Sequence, residues 1–362
     1  MAKAAPYGLI LAGGRGTRFW PRSRRGSAKQ VLRFFGERSL IQQTVDRLSP
    51  LIPPERIWVL TNQHLLAKIA AQLPEVPRRQ ILAEPAQRNT APAIGLAAHI
   101  LDSLDPNAVM GIFPSDHVIA KPRDYIRVLK PAFQAAREGR LAVLGIQPRW
   151  AETGYGYIQF SGRPKARRTE PLPVRKFQEK PDRPTAERYM RSGNFYWNAG
   201  MFFWRPPVLL EQLRSYLPKT ASLLATLPPF GSRRFAERLR EVFPLCENIS
   251  IDYAVLQHAA RDKRVVVIPT GDIGWNDVGS WNAIYELQKR DRHGNALRGD
   301  SLIEESTGVY VDADSKLVAL LGVKDLIVVD TPDALLIADR SRAQEVGDLV
   351  KRLESAGRED LL

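Results

Sequence analysis

Apolar and polar positions alternate in blocks along the first 150 residues. Leu9-Ile10-Leu11-Ala12 is an apolar run of strand length that breaks into Gly13-Gly14-Arg15-Gly16, as a buried parallel strand feeding a glycine turn would. Residues 39–51 and 64–73 carry helical spacing, and residues 56–62 and 80–85 read as strands. Residues 89–104 predict a helix, with Asn89 or Thr90 placed to cap it and Pro92 in its first turn. Residues 108–117 form another buried run with a polar end. A helix over 126–139 with a glycine stop follows, then a strand over 141–148. This alternation predicts an α/β fold with a doubly wound, mostly parallel sheet. Such sheets bind ligands beyond the carboxyl ends of their strands. Gly13 to Arg18, Glu84 to Thr90 and Ser115-Asp116-His117 all fall at such ends, so one crevice is expected to collect all three.

The middle of the chain is less regular. Residues 154–160, 174–181 and 193–206 read as strands and loops, 249–259 as helical, 265–271 as a strand, and a helix starts from Ser280. After about residue 290 the texture changes to short valine-rich strands separated by Asp-Ser, Gly and Thr-Pro turns, then a charged terminal helix over 341–355. The expected division is a catalytic domain over 1–289 and a C-terminal β domain with its helix over 290–362. The β domain is expected to serve stability or assembly more than chemistry, and its short edge strands suit a homodimer. With 362 residues and 44% apolar content the chain can bury a sizeable core. No apolar run approaches the ~18 residues of a membrane span, so no membrane partner is expected. The N-terminal apolar stretch runs straight into glycines and arginines, unlike a signal peptide. A single cysteine, Cys246, fits a reducing, cytoplasmic setting.

Charge sharpens this picture. The formal net charge is +14, and seven Arg or Lys residues lie from Arg15 to Arg33 with no acid among them. The other dense basic cluster, residues 163–168, sits among prolines and reads as a solvated loop. Neither zinc-finger spacing nor an aromatic-basic pattern is present, so nucleic acid is not the expected partner. Glycines beside the strand end permit close backbone approach, and successive N–H groups can cradle phosphate oxygens. Arg18 and Lys29 can neutralise a polyphosphate, whereas Arg24 and Arg25 are assigned to solvent. The spacing is neither G-x-G-x-x-G nor a Walker A loop, which disfavours a dehydrogenase or an ATPase of those types. Asp116 at a strand end and Asp277 between two glycines suit Mg²⁺, which takes one or two carboxylates plus phosphate oxygens and water. His117 has no second His at ligand spacing and reads as structural. Glu84 with Arg88-Asn89-Thr90 either reads a purine edge or caps the helix. Glu179-Lys180 either holds a sugar hydroxyl and a phosphate or is a surface ion pair. Asn198, in an aromatic segment, bonds either a sugar or backbone.

The motifs LAGGRGTRFWPRSR, KQ, EPAQRNTAPAI, FPSDH, ETGYGYI, FQEKP, NAGMF, SIDYAVL and GWNDVGSW occur in one order. Over residues 7 to 340 the chain thereby resembles the bacterial mannose-1-phosphate guanylyltransferases, also called GDP-mannose pyrophosphorylases. The resemblance implies a Rossmann-like nucleotidyltransferase fold with a β-helix-like C-terminal domain. It implies GTP and α-D-mannose 1-phosphate as substrates, GDP-mannose and pyrophosphate as products, and Mg²⁺ as cofactor. By motif, Gly13, Gly14, Gly16 and Thr17 line the nucleotide loop, and Arg18 and Lys29 bind the phosphates. Glu84, Arg88, Asn89 and Thr90 lie near the guanine. Asp116 and Asp277 hold the metal. Gly154, Tyr155, Glu179, Lys180 and Asn198 surround the mannose phosphate. Ala28, Arg22, Val31 and Gln257 depart from the usual Pro, Leu, Phe and Glu. Longer members carry a phosphomannose isomerase domain; with the chain ending at Leu362, no isomerase activity is expected. The rival expectations are the same chemistry on glucose or heptose phosphate with another nucleotide, or a catalytically silent nucleotide-sensing subunit.

Overall fold

The computed structural model describes residues 6–162 and 169–362; the basic cluster at 163–168 lies outside the described residues. Its main sheet has nine strands in the order β3-β2-β1-β4-β9-β6-β10-β8-β7. These are β1 (Tyr7–Ala12), β2 (Ile57–Asn62), β3 (Ile81–Glu84), β4 (Met110–Pro114), β6 (Leu141–Ile146), β7 (Tyr157–Phe160), β8 (Leu172–Gln178), β9 (Phe195–Trp204) and β10 (Val265–Pro269). A separate two-stranded ribbon pairs β5 (Val118–Ile119) with β11 (Trp275–Asn276). β1 pairs in parallel with β2 and β4, β2 with β3, and β6 with β10. The long β9 runs antiparallel between β4 and β6, and β8 opposes β10. The parallel sheet expected from the sequence therefore carries two reversed strands, both from the segment that lacked regular alternation.

Period-two side-chain direction explains why the strands read as unbroken apolar runs. Leu9, Leu60, Ile112 and Val143 point to one face, where they pack with α3 (Thr90–Leu104). Ile10, Val59, Phe113 and Leu144 point to the other, against α1 (Leu40–Leu48), α2 (Leu66–Gln72) and α4 (Pro122–Arg137). Each of these eight side chains is at most 1% exposed, which stabilises the fold by about 1.5–3 kcal/mol per side chain. Local signals fix the helix ends. Ser39 and Gln42 form a reciprocal capping box on α1, Asn89 caps α3, and Pro122 opens α4 four residues earlier than its apolar spacing suggested. Four helices between residues 183 and 242 went unread in the sequence: Arg183–Ser192, Pro206–Tyr216, Pro218–Ala225 and Phe235–Val242. The first has legible ends, an Asp182 cap and a left-handed Gly193 stop.

The C-terminal unit coils in parallel: β12 (Ala296–Arg298) pairs with β14 (Tyr310–Ala313), β14 with β16 (Leu326–Asp330), and β13 (Ser301–Glu304) with β15 (Val318–Leu321). β17 (Leu335–Asp339) closes it in antiparallel, and the terminal helix Val346–Ser355 follows. Most of this unit's core is shared with the N-terminal part of the chain. Tyr310, Ile327, Val329 and Val346 join one buried cluster with Phe19, Phe34, Val278 and Trp281, which belong to the loops at the crevice. Trp281 is fully buried, and its indole N–H donates to the Trp20 carbonyl at 3.0 Å. Among the described residues no helix is long and apolar enough to cross a membrane.

Candidate active site

A cleft of about 830 Å³ opens beyond the ends of β1, β3 and β4, lined among others by Gly13, Gly14, Gly16, Glu84, Asn89, Thr90 and Asp116. At its floor the glycine loop is held by its carbonyls. Thr61 Oγ1 and Gln30 Nε2 donate to the Ala12 carbonyl at 2.9 and 2.7 Å. Asn62 takes Gly13, Gln30 also takes Gly14, and Ser23 takes Gly16. A planar trans peptide points the following N–H the opposite way from its carbonyl. The amides of Gly13, Gly14, Arg15 and Thr17 are thereby turned away from these anchors, the arrangement an anion cradle requires. Gly16 has φ +64°, and a Cβ there would lie 2.6 Å from Lys29 Cβ, so glycine is needed on both counts.

Lys29 is 5% exposed and forms the hinge of the site. Its Nζ lies 2.9 Å from Asp116 Oδ2 and donates to the Asp277 carbonyl at 2.7 Å. The β5–β11 ribbon brings the two aspartates together: Asp116 precedes β5 by two residues and Asp277 follows β11 directly. Burial alone would raise the Asp116 carboxyl, but the adjacent Lys29 ammonium outweighs it and holds the carboxyl below its ordinary range. His117 is pushed down to about 4 by burial, so it is neutral, and its Nδ1 accepts from Trp275 Nε1 at 3.2 Å. That is the structural part expected of it. Asp277 sits on a constrained loop. Val278 has φ +50°, its amide bonded to Asn276 Oδ1 at 2.7 Å, and Gly274 has φ +65° with its open face against Ala120. Strained backbone held this firmly marks a position selected for geometry. Tyr155 donates from its hydroxyl to Asp277 Oδ1 at 2.7 Å, between the rings of Trp197 and Trp275. Its role here is on the carboxylate, a contact the sequence did not reveal.

Of the residues expected at a purine, Glu84, Asn89 and Thr90 line the cleft. Burial without a neighbouring cation pushes Glu84 up to about 8. Asn89 has φ +64° and accepts from Thr90 N at 2.9 Å, so it does cap α3; Thr90 Oγ1 accepts from Ile251 N. Arg88 is turned elsewhere, donating to the Pro244 carbonyl at 2.8 Å. Thr17 and Arg18 are not part of the cleft lining: Thr17 lines a separate small pocket, and the exposed Arg18 has its Nη1 3.5 Å from the Gly279 carbonyl.

A second polar group lies past Tyr155. Asn198 donates to Asp252 Oδ1 at 2.8 Å and accepts from Gly200 N. Glu179 Oε2 is buried without a hydrogen-bond partner, and Lys180 Nζ is 3.8 Å from its other oxygen. Burial and the nearby Asp252 push Glu179 up to about 7; burial pushes Asp252 up to about 6. Gly156 makes room for this approach, since a Cβ there would lie 2.4 Å from Glu179 Oε2. Gly154 is exposed, with its amide on Glu152. Asp252 and Gln30 were missed as site residues, although both lie in quoted motifs.

The basic run is corrected in one respect. Arg24 and Arg25, assigned to solvent, are paired with Asp333 (3.0 Å) and Glu359. Arg15 pairs with Glu354, and Arg22 with Asp312 (2.7 Å) and Asp314. These acids lie some 290 to 340 positions further along the chain, beyond any local pattern.

The nucleotidyl transferase family model matches residues 7–294, and the MannoseP isomerase/GMP-like beta-helix domain model matches 301–353. A mannose-1-phosphate guanylyltransferase of Klebsiella pneumoniae is 39% identical over 356 residues, 97% of this chain and 74% of that one. One from Escherichia coli is 39% identical over 350 residues, 96% and 73% of the two chains. A solved structure described as mannose-1-phosphate geranyltransferase from Thermus thermophilus has a TM-score of 0.85 at 34% identity, covering 97% of this chain and 100% of that one.

Proposed function

The chain belongs to the mannose-1-phosphate guanylyltransferases of the nucleotidyl transferase family, and on that premise we propose how its cleft carries out the reaction. It is an enzyme that transfers a guanylyl group from GTP to mannose 1-phosphate, releasing pyrophosphate. The observation that carries our assignment of the parts is Lys29, a buried cation joining Asp116 and Asp277 beside a glycine loop whose amides are free to take phosphate.

A phosphate oxygen of mannose 1-phosphate attacks the α-phosphorus of GTP as the bond to the bridging β-oxygen breaks. The nucleophile is already deprotonated at neutral pH, so no general base is required. The barrier is the approach of two anions. Loop amides orient the triphosphate, the exposed Arg18 reaches it from outside the cleft lining, and Lys29 neutralises charge at the reacting phosphates. Asp116 and Asp277 suit Mg²⁺. Lys29 takes one oxygen of Asp116 and Tyr155 one oxygen of Asp277, which leaves the other of each for a cation. Among the described residues no cage of three or more ligating side chains exists, and Mg²⁺ that also binds substrate phosphates needs none. Bound there, the ion would offset charge on the phosphate oxygens.

Guanine presents two adjacent donors, N1–H and the 2-amino group, which match the two oxygens of the ionised Glu84 carboxylate, the form that such donors favour over the protonated one set by burial in the free site. Glu84→Gln should erode the preference for GTP over ATP by about 1–3 kcal/mol, the worth of one bidentate base contact. The same residue gives a pH dependence. Its pKa is raised on folding, so the stability it contributes is complete below about 4.5 and is lost as pH rises through about 8. The wild-type Tm should fall across that window more steeply than that of Glu84→Gln. Parallel slopes would remove Glu84 from the buried position assigned to it.

Glu179, Lys180, Asn198 and Asp252 form the sugar end, where the partnerless Glu179 oxygen accepts a sugar hydroxyl. The lone buried Cys246 suits the reducing cytoplasm. Leu302 and Leu321 stand exposed on paired strands of the C-terminal unit and are where a second copy would meet this one. Light scattering at micromolar concentration should give a dimer, and a monomer there ends that part of the reading. Pyrophosphate release from each NTP with each sugar 1-phosphate tests the function. GTP with mannose 1-phosphate should turn over fastest, and a panel led by another pair would reassign it.

A further inference from the structure

We propose that the C-terminal unit positions the phosphate-binding loop, with the buried Asp312–Arg22 pair as its main contact, so that the rate of guanylyl transfer depends on a residue outside the cleft. The proposal rests on the reading above, in which Gly13 to Lys29 holds the triphosphate.

Asp312 lies in β14, fully buried, and Arg22 meets it at 2.7 Å with only 16% of its side chain exposed. A buried carboxylate is costly unless a cation satisfies it, so the pair is locked where a surface pair would not be. Arg298 approaches the same carboxylate only to 3.7 Å. Arg22 stands directly before Ser23, whose hydroxyl holds the Gly16 carbonyl at 2.7 Å. Gly16 in turn abuts the backbone of Lys29, and Lys29 joins Asp116 to Asp277. A shift at Asp312 thus passes through three consecutive contacts to the residues proposed to handle the phosphates.

The surrounding contacts act in the same direction. Phe19 is packed into the core shared with Tyr310 and Ile327. Trp20 donates to the Leu361 carbonyl at 3.0 Å, and Gly347 of the terminal helix rests against Thr17 and Arg18. Arg15, Arg24 and Arg25 are tied to Glu354, Asp333 and Glu359 in solvent-exposed pairs, each worth little alone. Their collective effect is selective. Of the arginines close to the glycine turn, only Arg18 is without a carboxylate partner among the described residues, while Arg15 and Arg25, which line the cleft, are held by Glu354 and Glu359 of the C-terminal unit.

The test compares wild type, Asp312→Asn and Asp314→Asn by steady-state kinetics at 25 °C, by Tm, and by amide hydrogen exchange of residues 13–19 in the absence of substrates. Asp312→Asn keeps the shape and removes the charge. It should lower kcat by about tenfold to 10²-fold, the range for slightly displaced catalytic groups. The KM for mannose 1-phosphate should stay within about twofold, and exchange at 13–19 should rise while that of α1 is unchanged. Asp314 is exposed, so its replacement does not endanger folding. Asp314→Asn should move kcat and loop exchange the same way by a smaller factor. A lowered Tm with wild-type kcat and wild-type loop exchange in folded Asp312→Asn would make the pair a stabiliser only and overturn the proposal. If Asp312→Asn does not fold, wild-type values in Asp314→Asn overturn it instead. Absence of turnover in wild type itself would refute the assigned function, and the exchange measurement would still decide whether the clamp exists.

Discussion

Lys29→Ala should lower kcat by about 10²–10³, a loss of about 2.7–4 kcal/mol of transition-state stabilisation, the cost typical of removing one preorganised electrostatic contact. Charge grows on the bridging oxygen as pyrophosphate departs, so a cation fixed beside it binds the transition state more strongly than the ground state. Lys29 is fixed in this sense: it is buried, and both ends of its bridge are specified, one on the Asp116 carboxylate and one on the Asp277 carbonyl. The alanine variant also leaves Asp116 without its nearest cation, so the loss should appear in kcat and not only in KM. Lys29→Arg should recover little, because the buried Nζ is held between the Asp116 carboxylate and the Asp277 carbonyl as a compact charge, and a planar guanidinium does not reproduce that bridge. Arg18→Ala should cost less than Lys29→Ala, since Arg18 is exposed and Lys29 is buried. Arg238→Ala, a surface helix charge paired with Glu241, serves as the control. A kcat for Lys29→Ala within a few-fold of that control would show the buried bridge to be structural.

Much of the fold could be read directly because its signals are local. Apolar runs ending in glycines or acids marked β1, β3 and β4, helical spacing marked α1, and spacing with a capping residue marked α3. The reversed β9 was not legible. Its residues are buried on both faces whichever way the strand runs, so burial carries no direction. The helices between 183 and 242 are short and separated by Pro, Leu and Thr breaks that mask their periodicity.

The site divides along the same line. Gly13, Gly14, Gly16, Asp116 and Glu84 line the cleft, and their grouping was legible because each sits at a strand end or in the turn that follows it. Arg88 was not, since only the folded chain brings the Pro244 carbonyl to its guanidinium. The pairing of Arg15, Arg22, Arg24 and Arg25 was invisible for the same reason: a run of like charge with no local acid reads as free, and its acids come from the far end of the chain. The density of basic residues that first suggested a phosphate site is therefore largely a docking surface for the C-terminal unit. The proposed phosphate site rests instead on the glycine conformation and on Lys29.

Asp277→Asn should abolish most turnover at ordinary Mg²⁺, with a loss of the same order as Lys29→Ala, and should shift the Mg²⁺ concentration needed for half-maximal rate upward. The substitution is chosen for what it preserves. Asparagine keeps an oxygen for the Tyr155 hydroxyl, and the backbone carbonyl that accepts from Lys29 is unchanged, so the loop from Gly274 to Ser280 retains its anchors. Only the negative charge is lost, and charge is what a divalent cation needs from this position. Tyr155→Phe separates the two contributions, because it removes the hydrogen bond and leaves the carboxylate. It should cost far less than Asp277→Asn and leave the Mg²⁺ requirement near that of wild type. Asp116→Asn should resemble Asp277→Asn if both carboxylates share one ion. Mn²⁺ binding to the enzyme with GTP, followed by its electron paramagnetic resonance signal, reads the same question without turnover. Wild-type Mn²⁺ affinity in Asp277→Asn, with an unchanged Mg²⁺ dependence of rate, would remove this residue from the metal and leave it as the carbonyl that orients Lys29.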